Sequence, residues 1–313
     1  MANKIKVSAP GKIILSGEHA VVYGYPAILS AIDRRLSVEI EETGSGLDIQ
    51  PIEGKTLVEY AVEVIKAKLN TSELKNLKIR INSQIPIGCG MGSSAALAVA
   101  VTAAIFKFFQ KPWNLEEINQ TAYEIEKKQH GNPSGGDNTI STYGGFLWFR
   151  KEAEGLKTFC SLKVQDFPQL FFINTGKPRE TTKEMVDRVK NTYLNNPIKT
   201  EKIFLGIEKI SRNFLKLLLK EKTGEISDLL RENEELLEKL GVVSSSTKTI
   251  IRKIEKIGGA AKISGAGGVK GGSGIILIYH ANPEAFFSFV KKEKLEAVKI
   301  KLGNEGVKNE TNF

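Results

Sequence analysis

The sequence predicts a two-lobed α+β protein, and three observations carry that reading. A glycine-rich loop at residues 86–96 joins a strand-like segment to a run of small apolar residues. Residues 181–256 then follow an almost wholly helical pattern. From residue 260 the chain returns to short strands with one helix among them. The composition changes at residues 176–181, which divides the chain into an N-terminal lobe, 1–176, and a C-terminal lobe, 177–313.

Residues 5–9, 13–15 and 36–40 are short runs of strand character. Apolar residues recur at helical spacing over 57–69, whereas 77–81 alternates as a strand and leads into the glycine loop. Helices are expected at 94–109 and 115–128, a loop at 130–138, and strands at 145–149 and 170–174. The helical stretch breaks at Asn195-Asn196-Pro197, at 222–224 and at Gly241. Strands follow at 260–264, 274–279 and 297–300, with a helix at 283–292. The polar tail, 303–313, is expected to fray.

With 313 residues, 41% hydrophobic and 26% charged, the chain has the composition of a soluble globular protein with ample core. Its net charge of +9 arises from 45 basic and 36 acidic residues that are intermixed. That pattern makes solvated helix faces rather than a nucleic-acid stripe, and a modest positive field suits small anionic substrates. Only Cys89 and Cys160 are present, far apart, which points to a reducing cytoplasm rather than a disulfide scaffold. Residues 1–6 are polar and resemble no signal peptide, and the apolar run 95–106 is too short to span a bilayer.

The loop reads Pro86-Ile87-Gly88-Cys89-Gly90-Met91-Gly92-Ser93-Ser94-Ala95-Ala96. Glycine on alternate positions weakens any regular element, but it lets the backbone bend and bring its N–H groups close to a ligand. A helix opening straight after such a loop offers free N–H groups and a positive dipole end, which suit a phosphate chain. The loop lacks the Lys-Ser/Thr ending of a Walker A motif. Cys89 lies inside it, so alkylation there is expected to block a nucleotide.

Three other segments look like site walls. Lys12, Glu18 and His19 gather beside Gly11 and Gly17 at the end of a hydrophobic strand. The run Gly131-Asn132-Pro133-Ser134-Gly135-Gly136 makes a tight loop that holds a carboxylate, Asp137. A second glycine loop, Gly265-Ala266-Gly267-Gly268, follows the strand-like Lys262-Ile263-Ser264.

In this order, these pieces resemble the GHMP kinase superfamily, over residues 4 to about 302. Ala9-Pro10-Gly11-Lys12 with Gly17-Glu18-His19 is similar to its first motif, 86–96 to its second and 264–268 to its third. Two segments are most like the mevalonate kinase branch: 130–138, and Asn174-Thr175-Gly176-Lys177-Pro178-Arg179-Glu180-Thr181-Thr182. The resemblance implies an N-terminal lobe like ribosomal protein S5 domain 2 and a ferredoxin-like C-terminal lobe. It implies ATP as cosubstrate, Mg²⁺ as cofactor, and mevalonate phosphorylated on its primary hydroxyl. Asp137 matches the catalytic carboxylate and Lys12 the lysine paired with it. Ser94 and Glu126 match the Mg²⁺ ligands, and residues 86–96 the triphosphate cradle. Glu18, His19, Thr181 and Ala266 match positions around the acceptor. A cytoplasmic protein with no nucleic-acid or membrane partner is expected, with room for a homodimer.

Two departures stand out. Val269-Lys270 is inserted into the third motif, and Met91 replaces the usual Leu. A sibling kinase for phosphomevalonate or a sugar, and a non-catalytic nucleotide-binding regulator on the same fold, remain the alternatives.

Overall fold

The computed structural model describes residues 4–310 except 44–45, 52–54, 71–73, 75, 132 and 222–223. The first strand, β1 (Ile5–Ser16), is continuous where two short strands are expected. Pro10 and Gly11 are absorbed by register shifts against β2 (Ala27–Glu42), between Pro10 and Lys12 and again between Ile14 and Ser16. Such bulges bend a strand and re-aim its side chains. The long β2 pairs through its C-terminal half with β4 (Leu77–Ser83), which takes the short parallel β3 (Asp48–Gln50) on its other side.

Helices α1 (Lys55–Leu69), α2 (Ser93–Phe108) and α3 (Leu115–His130) pack over this sheet. From Ala95 to Phe106 every residue of α2 is buried. A helix apolar on all sides must be enclosed, and α2 is the central rod of the lobe, touching β1, β2, α1, α3 and α4 (Gly136–Tyr143). Burying each of its larger side chains stabilises the lobe by roughly 1.5–3 kcal/mol. Strands β5 (Phe146–Lys151) and β6 (Lys157–Leu162) extend the sheet from the first half of β2.

The second sheet is antiparallel, in the order β10-β7-β9-β8, from β7 (Leu170–Asn174), β8 (Ala260–Ser264), β9 (Ile275–Tyr279) and β10 (Ala297–Ile300). The helical stretch consists of α5 (Thr182–Asn195), α6 (Pro197–Leu218), α7 (Ile226–Leu240) and α8 (Ser245–Lys256), and α9 (Pro283–Lys292) follows β9. Asn196 caps α6 with Pro197 at its start, and Gly241 ends α7 in the left-handed conformation, as the breaks in the sequence foretell. Residues 222–223 of the third expected break lie outside the described residues.

The described part of the tail is pinned rather than frayed. Its last strand, β11 (Lys308–Asn309), pairs with β1, and Arg35 donates to the carbonyls of Glu305 and Gly306 at 2.9 and 2.8 Å. Two segments cross the boundary expected at residues 176 and 177: β7, before it, joins the second sheet, and the tail, after it, returns to the first. No helix among the described residues is long and apolar enough to cross a membrane.

Candidate active site

The glycine loop is bent as its composition requires. Gly88, Gly90 and Gly92 have φ of 72, 88 and 73°, a region that costs little only for glycine. A Cβ on Gly90 would stand 2.5 Å from the Ser264 carbonyl oxygen, and one on Gly92 2.8 Å from the Lys12 side chain. The loop is therefore wedged between β1 and the third motif. The Ile275 N–H donates to Cys89 O at 3.0 Å, and the Lys12 N–H to Met91 O at 2.9 Å. Helix α2 opens at Gly92 with no side-chain cap, the kind of helix start that can offer first-turn N–H groups to an anion.

Two acidic groups meet at this helix end. Asp137 is in the first turn of α4, rather than in the expected loop, because Gly135 with φ 86° starts the helix two residues earlier. Its carboxylate is 3.3 Å from Lys12 Nζ; Asp137 stays 40% exposed while the Lys12 side chain is 3% exposed. The neighbouring Asn138 side chain donates to Asn119 Oδ1 at 2.6 Å, tying α4 to α3. Glu126, on α3, accepts a hydrogen bond from Ser94 Oγ at the start of α2. Burial pushes its carboxyl up to about 7; the Ser94 bond opposes that, Asp137 adds to it and Lys12 opposes it.

Among the described residues no three His, Cys, Asp or Glu side chains cluster as a metal site. One hydroxyl and one carboxylate do suit a hard ion that draws its other oxygens from water and phosphate, as Mg²⁺ does. Binding such an ion would also relieve a carboxylate held in a dry place.

His19 has φ 61° and ψ −47°, an uncommon conformation for a residue with a side chain. Its Nε2 donates to the Ala266 carbonyl at 3.0 Å, and burial lowers its pKa to about 4. The imidazole is therefore neutral near pH 7, with Nδ1 left as a hydrogen-bond acceptor. Glu18 is placed behind this wall: its side chain is fully buried in an ion pair with Lys262. Thr181 is exposed at the start of α5, where its hydroxyl and N–H form a capping box with Glu184.

The inserted residues of the third motif have partners in the 174–182 segment. Glu180 Oε2 accepts from the N–H groups of Val269 and Lys270 at 3.4 and 3.3 Å, and the Arg179 N–H donates to Lys270 O at 3.2 Å. Pro178 and Gly271 form a β-bridge. The insertion thus docks on the segment that carries Thr181.

The Cys89 expectation needs correction. Its backbone shapes the loop, but its side chain is buried in the hydrophobic core and its Sγ donates to Ile87 O at 3.5 Å. Burial raises its pKa. Asn132, in the 130–138 segment, lies outside the described residues.

The sequence reading gave no role to Lys177, Lys262 or Lys157. The Lys177 side chain lies over Gly88, and that of Lys157 over Gly135 with its ammonium 3.1 Å from the centre of the Tyr123 ring. Lys262 carried a usable signal, since a lysine in an otherwise apolar strand is rarely buried without a partner.

The sequence matches the GHMP kinases N terminal domain over residues 56–145 and the GHMP kinases C terminal domain over 214–297. Mevalonate kinase of Archaeoglobus fulgidus is 37% identical over 298 residues, covering 94% of this chain and 98% of that protein. Mevalonate kinase of Methanocaldococcus jannaschii is 32% identical over 325 residues, covering 95% and 99%. Among solved structures, L. major mevalonate kinase in complex with R-mevalonate aligns with a TM-score of 0.83 at 25% identity, over 97% of this chain and 98% of that one. Lactococcus lactis galactokinase complexed with galactose, at 16% identity and a TM-score of 0.73 over 98% and 95%, shares the fold.

Proposed function

This chain belongs to the GHMP kinase family, and from that premise we propose that it transfers the terminal phosphoryl group of ATP to the primary hydroxyl of (R)-mevalonate. The observation that carries the reading is the meeting of two polar pairs, Lys12 with Asp137 and Ser94 with Glu126, at the open end of α2. Phosphoryl transfer is driven mainly by positioning and charge stabilisation, and this arrangement supplies both.

The uncapped N–H groups of α2 and the bent loop 88–94 hold the phosphates. Asp137, at the exposed side, accepts or orients the proton of the acceptor hydroxyl. Lys12 sits on a rigid strand with its ammonium against Asp137, where it offsets charge on the transferring group. Ser94 and Glu126 would hold Mg²⁺, which when bound neutralises phosphate charge. His19, through its free Nδ1, accepts a hydrogen bond from an acceptor hydroxyl rather than pairing with a carboxylate. Thr181 and Ala266 complete that wall, with Glu18 behind it.

A homodimer in the cytoplasm is part of this reading. Leu194 and Ile198 stand exposed beside the α5–α6 turn, and both cysteines are free. Sedimentation measures the association.

An ATP-coupled screen of mevalonate, phosphomevalonate, homoserine and galactose tests the function. Mevalonate should be turned over and phosphomevalonate poorly or not at all, because a dianion beside Asp137 is repelled. Equal or faster turnover of phosphomevalonate would overturn the acceptor and leave the kinase standing. No ATP turnover with any of the four would favour a nucleotide-binding regulator.

A further inference from the structure

The Glu18–Lys262 ion pair ties β8 of the second sheet to the turn that follows β1, directly behind the acceptor wall. Lys262 is in the middle of β8, and both side chains are fully buried. Its Nζ also donates to the carbonyls of Ile14, at 3.2 Å, and Ile263, at 2.7 Å. Two residues along β8, Ser264 Oγ accepts from the Ile14 N–H at 2.9 Å. Side chains of β8 therefore take up both polar groups of Ile14, where the ladder between β1 and β2 shifts register. On the far side, Glu234 of α7 accepts from the Ile263 N–H at 2.9 Å and steadies the same strand.

Beyond Ile14 the chain turns through Gly17, with φ 109°, to His19 and its unusual backbone. A conformation of this kind persists only when the surroundings over-determine it. Three constraints do so here: the Ala20 N–H donating to Glu18 O at 2.7 Å, the His19–Ala266 bond, and the buried pair on the residue just before His19. A buried ion pair is a costly way to gain stability, so a requirement for one fixed geometry is the better account of it.

We propose that Lys262 is a positioning residue: through Glu18 and the Ile14 carbonyl it fixes the turn that presents His19 to the acceptor. Lys262 touches neither ATP nor acceptor. This rests on mevalonate being the acceptor, and one of its tests does not involve substrate.

The experiment compares wild type, Lys262→Met, Glu18→Gln and the double variant. In Lys262→Met the KM for mevalonate should rise about tenfold or more, with the KM for ATP within about twofold. The double variant removes both charges and should regain thermal stability while keeping the raised KM. If Lys262→Met does not fold, the double variant decides. A double variant that regains both stability and wild-type KM would reduce the pair to a stabilising contact and overturn the proposal, as would an unchanged KM or equal rises in both KM values. Independently, the chain has three histidines, and the bonded Nε2 proton of His19 should be visible by NMR in wild type and lost in the double variant. Its survival there would overturn the proposal whatever the acceptor is. Wild type that ignores mevalonate would instead overturn the acceptor reading and leave the NMR test intact.

Discussion

Asp137 and Glu126 are both carboxylates near Lys12, yet the fold treats them in opposite ways. Asp137 opens a helix and keeps 40% of its side chain exposed, so a substrate that comes and goes can reach it. Glu126 lies near the end of a helix, is 5% exposed and accepts a hydrogen bond from the Ser94 hydroxyl. On the function proposed above, the reachable carboxylate suits a proton in transit, and the enclosed one suits an ion that stays.

The sharpest way to break this comparison is Asp137→Asn. It should lower kcat by about a hundredfold or more while ATP affinity holds. Retention of more than about a tenth of the activity would remove Asp137 from proton handling. Ser94→Ala and Glu126→Gln should instead act on the metal, raising the Mg²⁺ concentration for half activity by about tenfold. An unchanged magnesium dependence in both would end their assignment as ligands.

The buried acid should also declare itself in stability. The folded pKa of Glu126 stands near 7 against 4.5 for an exposed glutamate, so the folded state holds a proton that the unfolded chain has lost. The stabilisation is complete below pH 4.5 and disappears as pH rises through about 7. Its size is about 3 kcal/mol at most. Glu234, pushed by burial to about 7, adds a second contribution of the same sign. Denaturation measured from pH 4.5 to 8 without Mg²⁺ should show a fall with pH that Glu126→Gln makes shallower; identical slopes would mean that Glu126 titrates normally.

Thr181→Ala should give a smaller change, raising the KM for mevalonate several-fold and lowering stability by about 1 kcal/mol through loss of the helix cap. A larger rise in the KM for ATP would move Thr181 to the nucleotide side. The smallest effect is expected at the cysteines. Exposed Cys160 should react with iodoacetamide and buried Cys89 should resist, leaving activity unchanged. Rapid, ATP-protected modification of Cys89 would restore its thiol to the nucleotide site.

Much of this was legible in the sequence because glycine and local periodicity leave local marks. The loop 86–96, helix α2 and the bounds of α9 and β8 follow from composition alone. Lys12, Ser94, Glu126 and Asp137 were picked out by resemblance to the family's motifs, and the fold brings Lys12 to Asp137 and Ser94 to Glu126. The continuity of β1 was hidden by Pro10-Gly11, which reads as a break until a bulge absorbs it. Asp137 reads as a loop residue because Pro133 to Gly136 mask the helix that begins there. Glu18 and Lys262 are 244 residues apart, and no local pattern announces a partner at that distance. The inward turn of Cys89 depends likewise on β9 lying against the loop.

The pinned tail bears on how the protein is made. Ser8 bonds Glu310 across a separation of 302 residues, and β11 closes the free edge of the strand that carries Lys12. Synthesis runs from the first residue to the last, so β1 leaves the ribosome long before its edge partner exists. Closing so large a loop comes late in folding, because its entropy must be met before the contact contributes anything. The newborn chain can assemble helices and most of both sheets while still attached, yet the strand that carries Lys12 has an open edge until residues 308 and 309 have been made. A chain that stopped before residue 308 would keep every motif and still expose that edge to its neighbours, a hazard of aggregation that β11 removes.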